Sequence, residues 1–376
     1  MSQLGGVLEV ESRPVDLADV DEVTAWASSG AADLAGFPDG PPLPAPGSPA
    51  STTLAALAVA QAYLGVGLPG VELLGERAAL SAFRRNAPFS PGGAFRCLPA
   101  RDGWLGLSLG RHHDREVLPA LIEARIAGDP WQAVGDWLRG VDVAVAHARA
   151  IELQLAVAAV PALPSEPAEV SRPPVEVHLG GPRRWRSSPL VVDLTALWAG
   201  PLAARLLGLA GARVVKVESK ARLDGTRFGN PAFFDVLHRG HDVVQLDFTA
   251  DRSTLLALLA SADVVLEASR PRALTRLGID AAEYVANGTV WASITAYGRR
   301  GPGADRVGFG DDVAVEAGLH AWTPEGPVTV GDAIADPLAG VHAAAAVSMA
   351  LQASRGCLLD VSMHHVARSA VAPSPG

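Results

Sequence analysis

"LVVDLTALWAGPLAARLLGLAGARVVKVE", residues 190–218, is the stretch that decides the fold. It opens with a short apolar run, continues through a longer apolar segment, and closes with a second short run rich in valine. Gly200 permits a tight turn, Pro201 suits the first position of a helix, and Gly211 suits the position after its last turn. The stretch therefore predicts a strand, a helix and a second strand.

The same alternation continues along the chain. "TLLALLASA" is typical of a helix, and "DVVLEA" and "VWASIT" are typical of buried strands. Strands and helices in turn favour a parallel sheet with helices on both faces, so we predict an α/β domain over residues 189–376. The first strand-to-helix turn has no G-x-G-x-x-G run, which disfavours ordinary NAD binding.

The first half of the chain has a different pattern, and residues 1–164 are predicted to form a smaller α+β domain of helices around a hairpin. "FRCLPARDGWLGLSLGR" reads as two strands that turn at Asp102 and Gly103, whereas "AVAHARAIELQLAVAAV" reads as one helix. Residues 165–188 contain many prolines and few apolar side chains, which predicts a linker.

Composition limits the class of protein. A chain of 376 residues with 49% hydrophobic and 19% charged residues has enough apolar side chains for two cores. A net charge of −9 argues against a nucleic-acid binder that relies on clustered Lys and Arg. The acidic N-terminus does not resemble a signal peptide, and no apolar run reaches the ~18 residues that a membrane span requires. We therefore expect a cytoplasmic protein that uses neither nucleic acid nor membrane.

The sequence has no metal-ligand spacing and no serine-hydrolase motif at a suitable place. Cys97 and Cys357 form no metal-ligand spacing, and the histidine pairs at 112–113 and 364–365 lack the i, i+4 arrangement of a helical metal site. The run "GLSLG" at residues 106–110 has the spacing G-x-S-x-G, but it lies in the second strand of the predicted hairpin, whereas a serine hydrolase has this run at a sharp turn from a strand of an α/β sheet into a helix. We expect no metal.

Basic residues gather after the predicted strands of the second half. Ligands of open α/β sheets bind outside the carboxyl ends of the strands, where such residues meet phosphates. The set comprises Lys216, Lys220, Arg222, Arg227, Arg239, Arg270, Arg272 and Arg276. A single basic residue at such a position is more often an ordinary surface residue than a ligand contact. Only the clustering of these eight residues in an acidic chain indicates an anionic ligand.

Asp336 precedes an apolar helix in "GDAIADPLAGVHAAAAVSMAL", residues 331–351. With Pro337 at the first helical position, Asp336 is predicted to be the N-cap. A carboxylate at a helix N-terminus stays ionised, and an ionised carboxylate can also act as a nucleophile. His342, further along the same helix, is expected to be a partly buried structural residue.

Five segments together carry a family resemblance: the stretch at 190–218, "LHRGHDVVQLDF", "ADVVLEASRPRALTRLGID", "VWASITAYGRRGP" and the Asp336 segment. In this order they resemble the class III (CaiB/BaiF-type) CoA-transferases. The resemblance implies a Rossmann-like sheet and a homodimer, and an enzyme of the formyl-CoA-transferase type acting on an acyl-CoA and a small carboxylic acid.

The resemblance also implies site residues. Asp336 matches the family's nucleophile, which forms an acyl-aspartyl anhydride and then an aspartyl-CoA thioester. Coenzyme A, as the substrate thioester, is expected along Leu197, Trp198 and Ala199, with its nucleotide end near Lys220 and Arg276. The backbone amides at the start of the Leu338–Gly340 turn are expected to serve as oxyanion donors.

Three features depart from the family pattern. His241 of "HRGH" stands where a lysine is usual, and Ala268 of "EASRP" stands where an asparagine is usual. Residues 51–161 resemble the family's small domain, which here precedes the nucleotide-binding half.

Two alternatives remain. α-Methylacyl-CoA racemases share the resemblance but need an acid and a base on opposite faces of the substrate carbon. Their histidine is expected in the segment where this chain has Phe309 and Gly310, and His320 would serve only with a shifted alignment. The other alternative is a CoA-binding protein without catalysis, in which Asp336 is only a helix cap.

Overall fold

The structure is a computed structural model that describes residues 2–15, 20–161, 172–183, 186–269 and 271–371; of Ser2, Pro271 and Arg272 it describes only the backbone. Its helices are α1 Ser2–Leu8, α2 Glu22–Ser28, α3 Pro49–Leu64, α4 Glu76–Ser81, α5 His112–Ile122, α6 Pro130–Leu138, α7 Val143–Glu152, α8 Ala199–Leu209, α9 Thr226–Gly229, α10 Pro231–His238, α11 Arg252–Ser261, α12 Pro271–Arg276, α13 Ala281–Ala286, α14 Gly310–Glu316, α15 Ala335–Ala350 and α16 Met363–Val371. Its strands are β1 Phe95–Pro99, β2 Trp104–Ser108, β3 Ala156–Ala159, β4 Val175–Pro182, β5 Leu190–Asp193, β6 Arg213–Ser219, β7 Asp242–Leu246, β8 Val264–Glu267, β9 Val290–Thr295, β10 His320–Thr323, β11 Gly326–Thr329 and β12 Arg355–Ser362. Within these ranges no helix combines the length and apolar character needed to cross a bilayer.

The large sheet confirms the predicted α/β class. It has seven strands in the order β4-β12-β9-β8-β5-β6-β7. The pairings described for it are parallel, except that β4 runs antiparallel to β12 at one edge. Valines 191, 192, 264 and 265 on the central strands are fully buried, as expected for a sheet covered on both faces.

The linker predicted over residues 165–188 is wrong where β4 forms. Val175, Val177 and Leu179 alternate with polar residues in β4, and β4 pairs with β12 from Val175 to Pro182. This period of two is the ordinary signal of a half-buried edge strand, and the surrounding prolines concealed it.

The strand order reverses near the centre of the sheet. From β5 the chain proceeds to β6 on one side, whereas β8 pairs with β5 on the other. The loops that leave the carboxyl ends of β5 and β8 therefore run in opposite directions, and ligands of such sheets bind at this point. The loop at Leu197–Ala199 follows β5 and therefore starts from this point.

A smaller α+β domain matches the predicted class. Strands β1, β2 and β3 form an antiparallel sheet, with β1 and β2 turning as predicted between Pro99 and Trp104. Residues of α5 and α6 share its core, including Leu118, Trp131, Val134 and Leu138. The predicted helix "AVAHARAIELQLAVAAV" is wrong in its second half, because α7 ends at Glu152 and Ala156–Ala159 forms β3. Alanine and valine repeats fit either element, and only pairing with β2 decides between them.

The predicted boundary at residue 164 does not separate the two cores. Leu57 and Ala60 of α3 belong to the same hydrophobic cluster as Val341 and Ala345 of α15. The N-terminal helices thus complete the core of the large domain, because α15 is apolar on all sides and needs a cover.

Candidate active site

Asp336 lies inside the first turn of α15 and is not its N-cap. The helix begins at Ala335, with Ile334 as the capping residue, so the predicted cap is wrong by two positions. A turn through Gly331 (φ 70°) and Ala333 (φ 43°) precedes it, and the Asp336 amide donates to the Ala333 carbonyl over 2.9 Å. This turn leaves the Asp336 carboxyl free to face a neighbouring helix.

The neighbour of that carboxyl is the N-terminal end of α8. The backbone N–H of Ala199, the first residue of α8, lies close enough to the Asp336 carboxyl to lower its pKa. A Cβ built on Gly310 would lie 2.3 Å from Oδ2 of Asp336 and 2.2 Å from the Ala333 carbonyl, so only glycine fits there. The predicted oxyanion donors at Leu338–Gly340 are already used within α15, where the Leu338 N–H donates to Ile334.

Two other carboxyl groups lie close enough to act on Asp336. Asp332 is fully buried, and Asp311 accepts a bond of 2.9 Å from the Ala333 N–H. Burial raises the pKa of Asp336 to about 7, against the attraction of Arg77 and with the repulsion of both neighbours. Burial likewise raises the pKa of Asp311 to about 6, with a contribution from Asp332.

Arg77 is the cation of the site and comes from α4 in the first half of the chain. Its Nε lies 2.7 Å from Oδ2 of Asp332, and its Nη2 bonds to Oδ1, so the pair is bidentate. The guanidinium carbon lies 5.0 Å from the Trp198 ring centroid and 5.8 Å from that of Phe83. Nothing in the local sequence around Arg77 signals this role, and our sequence analysis missed both Arg77 and Asp311.

The three predicted CoA residues on the loop after β5 differ in exposure. Leu197 adopts φ 71° and is 41% exposed, whereas Trp198 is buried against Phe233 with ring centroids 5.3 Å apart. Ala199 is also buried and lies near Asp336. The loop after β5 is therefore adjacent to Asp336, with Leu197 as the accessible side chain and Trp198 packed beneath the loop. Contact of these residues with CoA stays a prediction.

The basic residues after the strands divide into three groups. Lys220 follows β6, is exposed, and has its Nζ 3.3 Å from Asp251; Arg276 is exposed at the end of α12. Arg222 and Arg239 are likewise exposed, whereas Arg227 is bonded to Glu218. Arg270 and the side chain of Arg272 lie outside the described residues.

Lys216, also counted among the phosphate-binding candidates, is buried and is wrong in that role. It is inaccessible to solvent, and its Nζ lies 3.1 Å from Asp224 and 3.7 Å from Asp193. These carboxylates explain why a lysine is tolerated within β6.

His241 stands where the family pattern has a lysine, and it does not supply the positive charge of that lysine. It is half-buried, and burial lowers the pKa of its imidazole below the ordinary value. At neutral pH the ring is therefore uncharged. The nucleotide end of a CoA molecule would depend on the exposed Lys220 and Arg276.

His320, the histidine considered for an isomerase, lies on β10 of a two-stranded hairpin. Its ring is buried 5.6 Å from the Trp322 ring, and burial lowers its pKa. His342 is buried in α15, where its Nδ1 lies 2.8 Å from the Leu338 carbonyl. Among the residues described, no group of three or more His, Cys, Asp or Glu side chains is arranged to hold a metal ion.

Comparisons with known proteins agree on one family. The profile of CoA-transferase family III matches residues 189–375. An acetyl-CoA:oxalate CoA-transferase of Acetobacter aceti is 31% identical over 192 residues, 46% of this chain and 49% of that protein. A probable fatty acyl-CoA transferase of Mycobacterium tuberculosis is 34% identical over 187 residues, 46% of this chain and 48% of that protein.

A crystal structure of a CAIB/BAIF family protein from Brucella suis is 27% identical, with a TM-score of 0.47, and covers 51% of this chain and 56% of that one. The chain spans about half the length of the curated relatives it matches. The matched half contains six of the seven strands of the large sheet, all except β4, together with the loop after β5 and Asp336. Through residues 189–375, the chain belongs to CoA-transferase family III.

Proposed function

We propose that this protein is an enzyme that transfers CoA from an acyl-CoA thioester to a free carboxylic acid, with Asp336 as the nucleophile. One observation carries the proposal: Asp336 lies in the half that matches the family, with its carboxyl close to the Ala199 N–H, which follows β5 at the point where the strand order of the sheet reverses. The site adjoins the loop expected to bind CoA.

The reaction follows from carboxylate chemistry. A carboxylate oxygen of Asp336 attacks the thioester carbonyl, and the C–S bond breaks to give an acyl-aspartyl anhydride and the CoA thiolate. The thiolate attacks the aspartyl carbonyl of the anhydride, which releases the first acid and leaves an aspartyl-CoA thioester. The acceptor carboxylate attacks this thioester to form a new anhydride, and the thiolate then takes the new acyl group and frees Asp336.

The residues around Asp336 suit these steps. The Ala199 N–H is proposed to donate to the oxyanion that forms at the aspartyl carbonyl, because it lies close enough to the carboxyl to lower its pKa. Arg77 supplies positive charge that favours the ionised nucleophile. Gly310 keeps the space beside Oδ2 clear of a side chain.

Several finer features belong to the proposal. Leu197, Trp198, Ala199, Lys220 and Arg276 are proposed to bind CoA, and the smaller α+β domain is proposed to correspond to the family's small domain. We also propose a homodimer, as the resemblance implies, and a cytoplasmic location. The names of the two relatives mention oxalate and fatty acyl groups, which are chemically different. These names therefore do not indicate a single class of acyl group as the substrate.

Trapping of the covalent intermediate tests the nucleophile. The purified protein is incubated with mixed acyl-CoA esters, treated with hydroxylamine or borohydride, and digested for mass spectrometry. We expect modification of the peptide that contains Asp336, and in Asp336→Asn a loss of turnover by at least about 10³-fold with the adduct absent.

The control is the thermal unfolding of Asp336→Asn, which should show an intact fold. Unchanged turnover in this variant, or an adduct on another residue, would contradict the proposal. Exchange of the substrate α-proton in D₂O without any adduct would identify an isomerase instead. Binding of CoA esters with neither reaction would identify a binding protein.

A further inference from the structure

A buried ion pair adjoins the loop that follows β5. The side chains of Lys216 in β6 and of Asp224 in the segment after β6 are inaccessible to solvent, and Nζ of Lys216 lies 3.1 Å from Oδ2 of Asp224. Taking two charges out of water costs free energy that their attraction seldom offsets in full, and apolar side chains of similar volume often stabilise a core as well. The stability of the fold alone therefore does not account for this pair.

Both members of the pair bind the backbone of the loop. Nζ of Lys216 donates to the carbonyl of Thr195. The amide of Leu197 donates to the Asp224 carboxylate, over 3.1 Å to Oδ1 and 3.2 Å to Oδ2. The amide of Thr226 (3.0 Å) and its hydroxyl (2.8 Å) also donate to Oδ1 of Asp224, which fixes the orientation of the carboxylate. Two buried side chains thus hold the loop on both sides of its turn.

The loop has a conformation that needs such support. Leu197 has φ 71°, in the left-handed region, which a residue with a Cβ adopts only at a cost in free energy. Because its side chain is 41% exposed, packing offsets only part of this cost. A Cβ on Gly200 would lie 2.3 Å from Oγ1 of Thr195, so the loop folds tightly against the start of α8. The bonds to Asp224 therefore favour this conformation over the others open to an unrestrained loop.

The loop leads directly into the part of α8 that contacts the Asp336 helix. It ends at Ala199, the first residue of α8. A Cβ on Gly340, one turn after Asp336 in α15, would lie 2.6 Å from the Ala199 carbonyl. A different loop conformation would therefore move Ala199 relative to Asp336. Since Lys216 and Asp224 are shielded from solvent, they act on a bound ligand only through this loop.

We propose, on the basis of the function proposed above, that Lys216 and Asp224 are positioning residues for the transfer of CoA. By holding the carbonyl of Thr195 and the amide of Leu197, they fix the loop in a conformation that places Ala199 beside Asp336. The loop is set before the acyl-CoA binds, so the complex avoids the entropic cost of ordering it. Lys216 thus serves the site without contacting a phosphate.

Two substitutions of Asp224 test the proposal, because they remove the same charge at nearly the same volume. Asp224→Asn keeps an oxygen that can accept from the Leu197 amide, whereas Asp224→Leu does not. The rate of adduct formation at Asp336 is measured by rapid-quench mass spectrometry with a saturating mixture of acetyl-CoA, butyryl-CoA and succinyl-CoA. It is expressed per folded molecule, so a loss of stability alone does not change it. We expect Asp224→Leu to slow this rate at least about 30-fold and Asp224→Asn less than about fivefold.

A measurement on the unaltered protein keeps the test independent of whether a variant folds. Hydrogen exchange of the Leu197 amide is followed without any CoA ester, with the amide located by electron-transfer fragmentation. We expect exchange at least about 100-fold slower than in an unstructured peptide, because the amide is bonded to Asp224 before a ligand arrives. Exchange as fast as in such a peptide would overturn the inference.

The control is Asp129→Leu, which removes a bond of 3.1 Å from the Trp131 amide at the exposed start of α6. It should leave the rate per folded molecule unchanged. Equal rates in the two Asp224 variants, an Asp224→Leu rate equal to that of the wild type, or similar slowing in Asp129→Leu would overturn the inference while the proposed function stands. Absence of any adduct in the wild type would overturn both. If Asp224→Leu does not fold, the exchange of the Leu197 amide decides.

Discussion

Asp336 combines two properties that a helix cap alone would not have. Its carboxyl faces the N-terminal end of a different helix, and two further carboxyl groups act on it. A cap fully exposed to water keeps an ordinary pKa, whereas Asp336 is half-buried and the desolvation of its carboxyl raises its pKa to about 7. The proposed nucleophile is therefore partly protonated near neutral pH.

This pKa makes the reaction dependent on pH. Only the ionised carboxyl attacks a thioester, so we expect the rate of adduct formation to fall by about tenfold for each pH unit below 7 and to level off above it. Rapid-quench mass spectrometry of the acylated peptide from pH 5 to 9 measures the profile. A profile that stays flat down to pH 5 would contradict the raised pKa.

The pH dependence of the free energy of unfolding provides a second test of the raised pKa of Asp336. A carboxyl with a higher pKa in the folded than in the unfolded protein binds its proton more tightly when folded, so its contribution to stability is lost as pH rises from about 4 to about 7. Asp336→Asn should therefore increase the free energy of unfolding by about 2–4 kcal/mol at pH 8 and change it little at pH 4. Denaturant titrations at both values measure the difference.

At the level of elements, the site depends on the close approach of α8 and α15. A Cβ on Gly340 would lie 2.6 Å from the Ala199 carbonyl and 3.1 Å from Cβ of Leu202. Only a glycine lets the two helices approach this closely, and the approach brings the Ala199 N–H near Asp336. The packing of the helices and the proposed reaction would therefore rely on the same contact.

Gly340→Ala should separate the two helices. We expect a loss of about 1–3 kcal/mol in the free energy of unfolding, together with slower adduct formation, because the Ala199 N–H moves away from Asp336. Gly135→Ala in α6 is the matched control, since its Cβ would make only an ordinary contact of 3.8 Å with Leu98. That variant should be as stable as the wild type or more stable by about 0.5–1 kcal/mol. Equal free energies of unfolding and equal rates of adduct formation in the two variants would argue against the contact between α8 and α15 as the cause.

At the level of the whole molecule, buried polar groups join the smaller α+β domain to the large one. Arg306 donates to Glu316 over 2.9 Å, to the Tyr297 hydroxyl over 3.0 Å and to the Val157 carbonyl of β3 over 3.1 Å. Ser108 of β2 donates to the buried Asp312 over 2.8 Å. These bonds fix the smaller domain against the helix that begins with Gly310 and Asp311.

Arg306→Met should weaken this junction. It leaves the buried Glu316 without its charge partner, and we expect a loss of about 3 kcal/mol in the free energy of unfolding. Arg101→Met is the control, because the Arg101–Asp142 pair lies at the surface, and its midpoint of thermal unfolding should stay close to that of the wild type. Similar losses of stability in Arg306→Met and Arg101→Met would contradict the expectation that the less exposed ion pair contributes more to stability.

Periodicity and composition determined the class of this protein by themselves. The alternation that starts at residues 190–218 defines parallel strands and covering helices, because apolar spacing depends only on neighbours in sequence. The segment around Asp336 likewise indicated a reactive carboxyl. β4 and β3 were missed because short alternating or alanine-rich runs fit more than one element until a partner strand is known.

Only the tertiary structure decided the surroundings of the nucleophile. Arg77 and Asp332 are separated by 255 positions in the chain, and Asp311 reaches Asp336 through a turn held by Ala333. No local pattern encodes such contacts, since they arise when α4, α8, α14 and α15 pack around one point. The sequence thus determined that a carboxyl stands at position 336, and the packing decided its pKa, its donor and the charges that surround it.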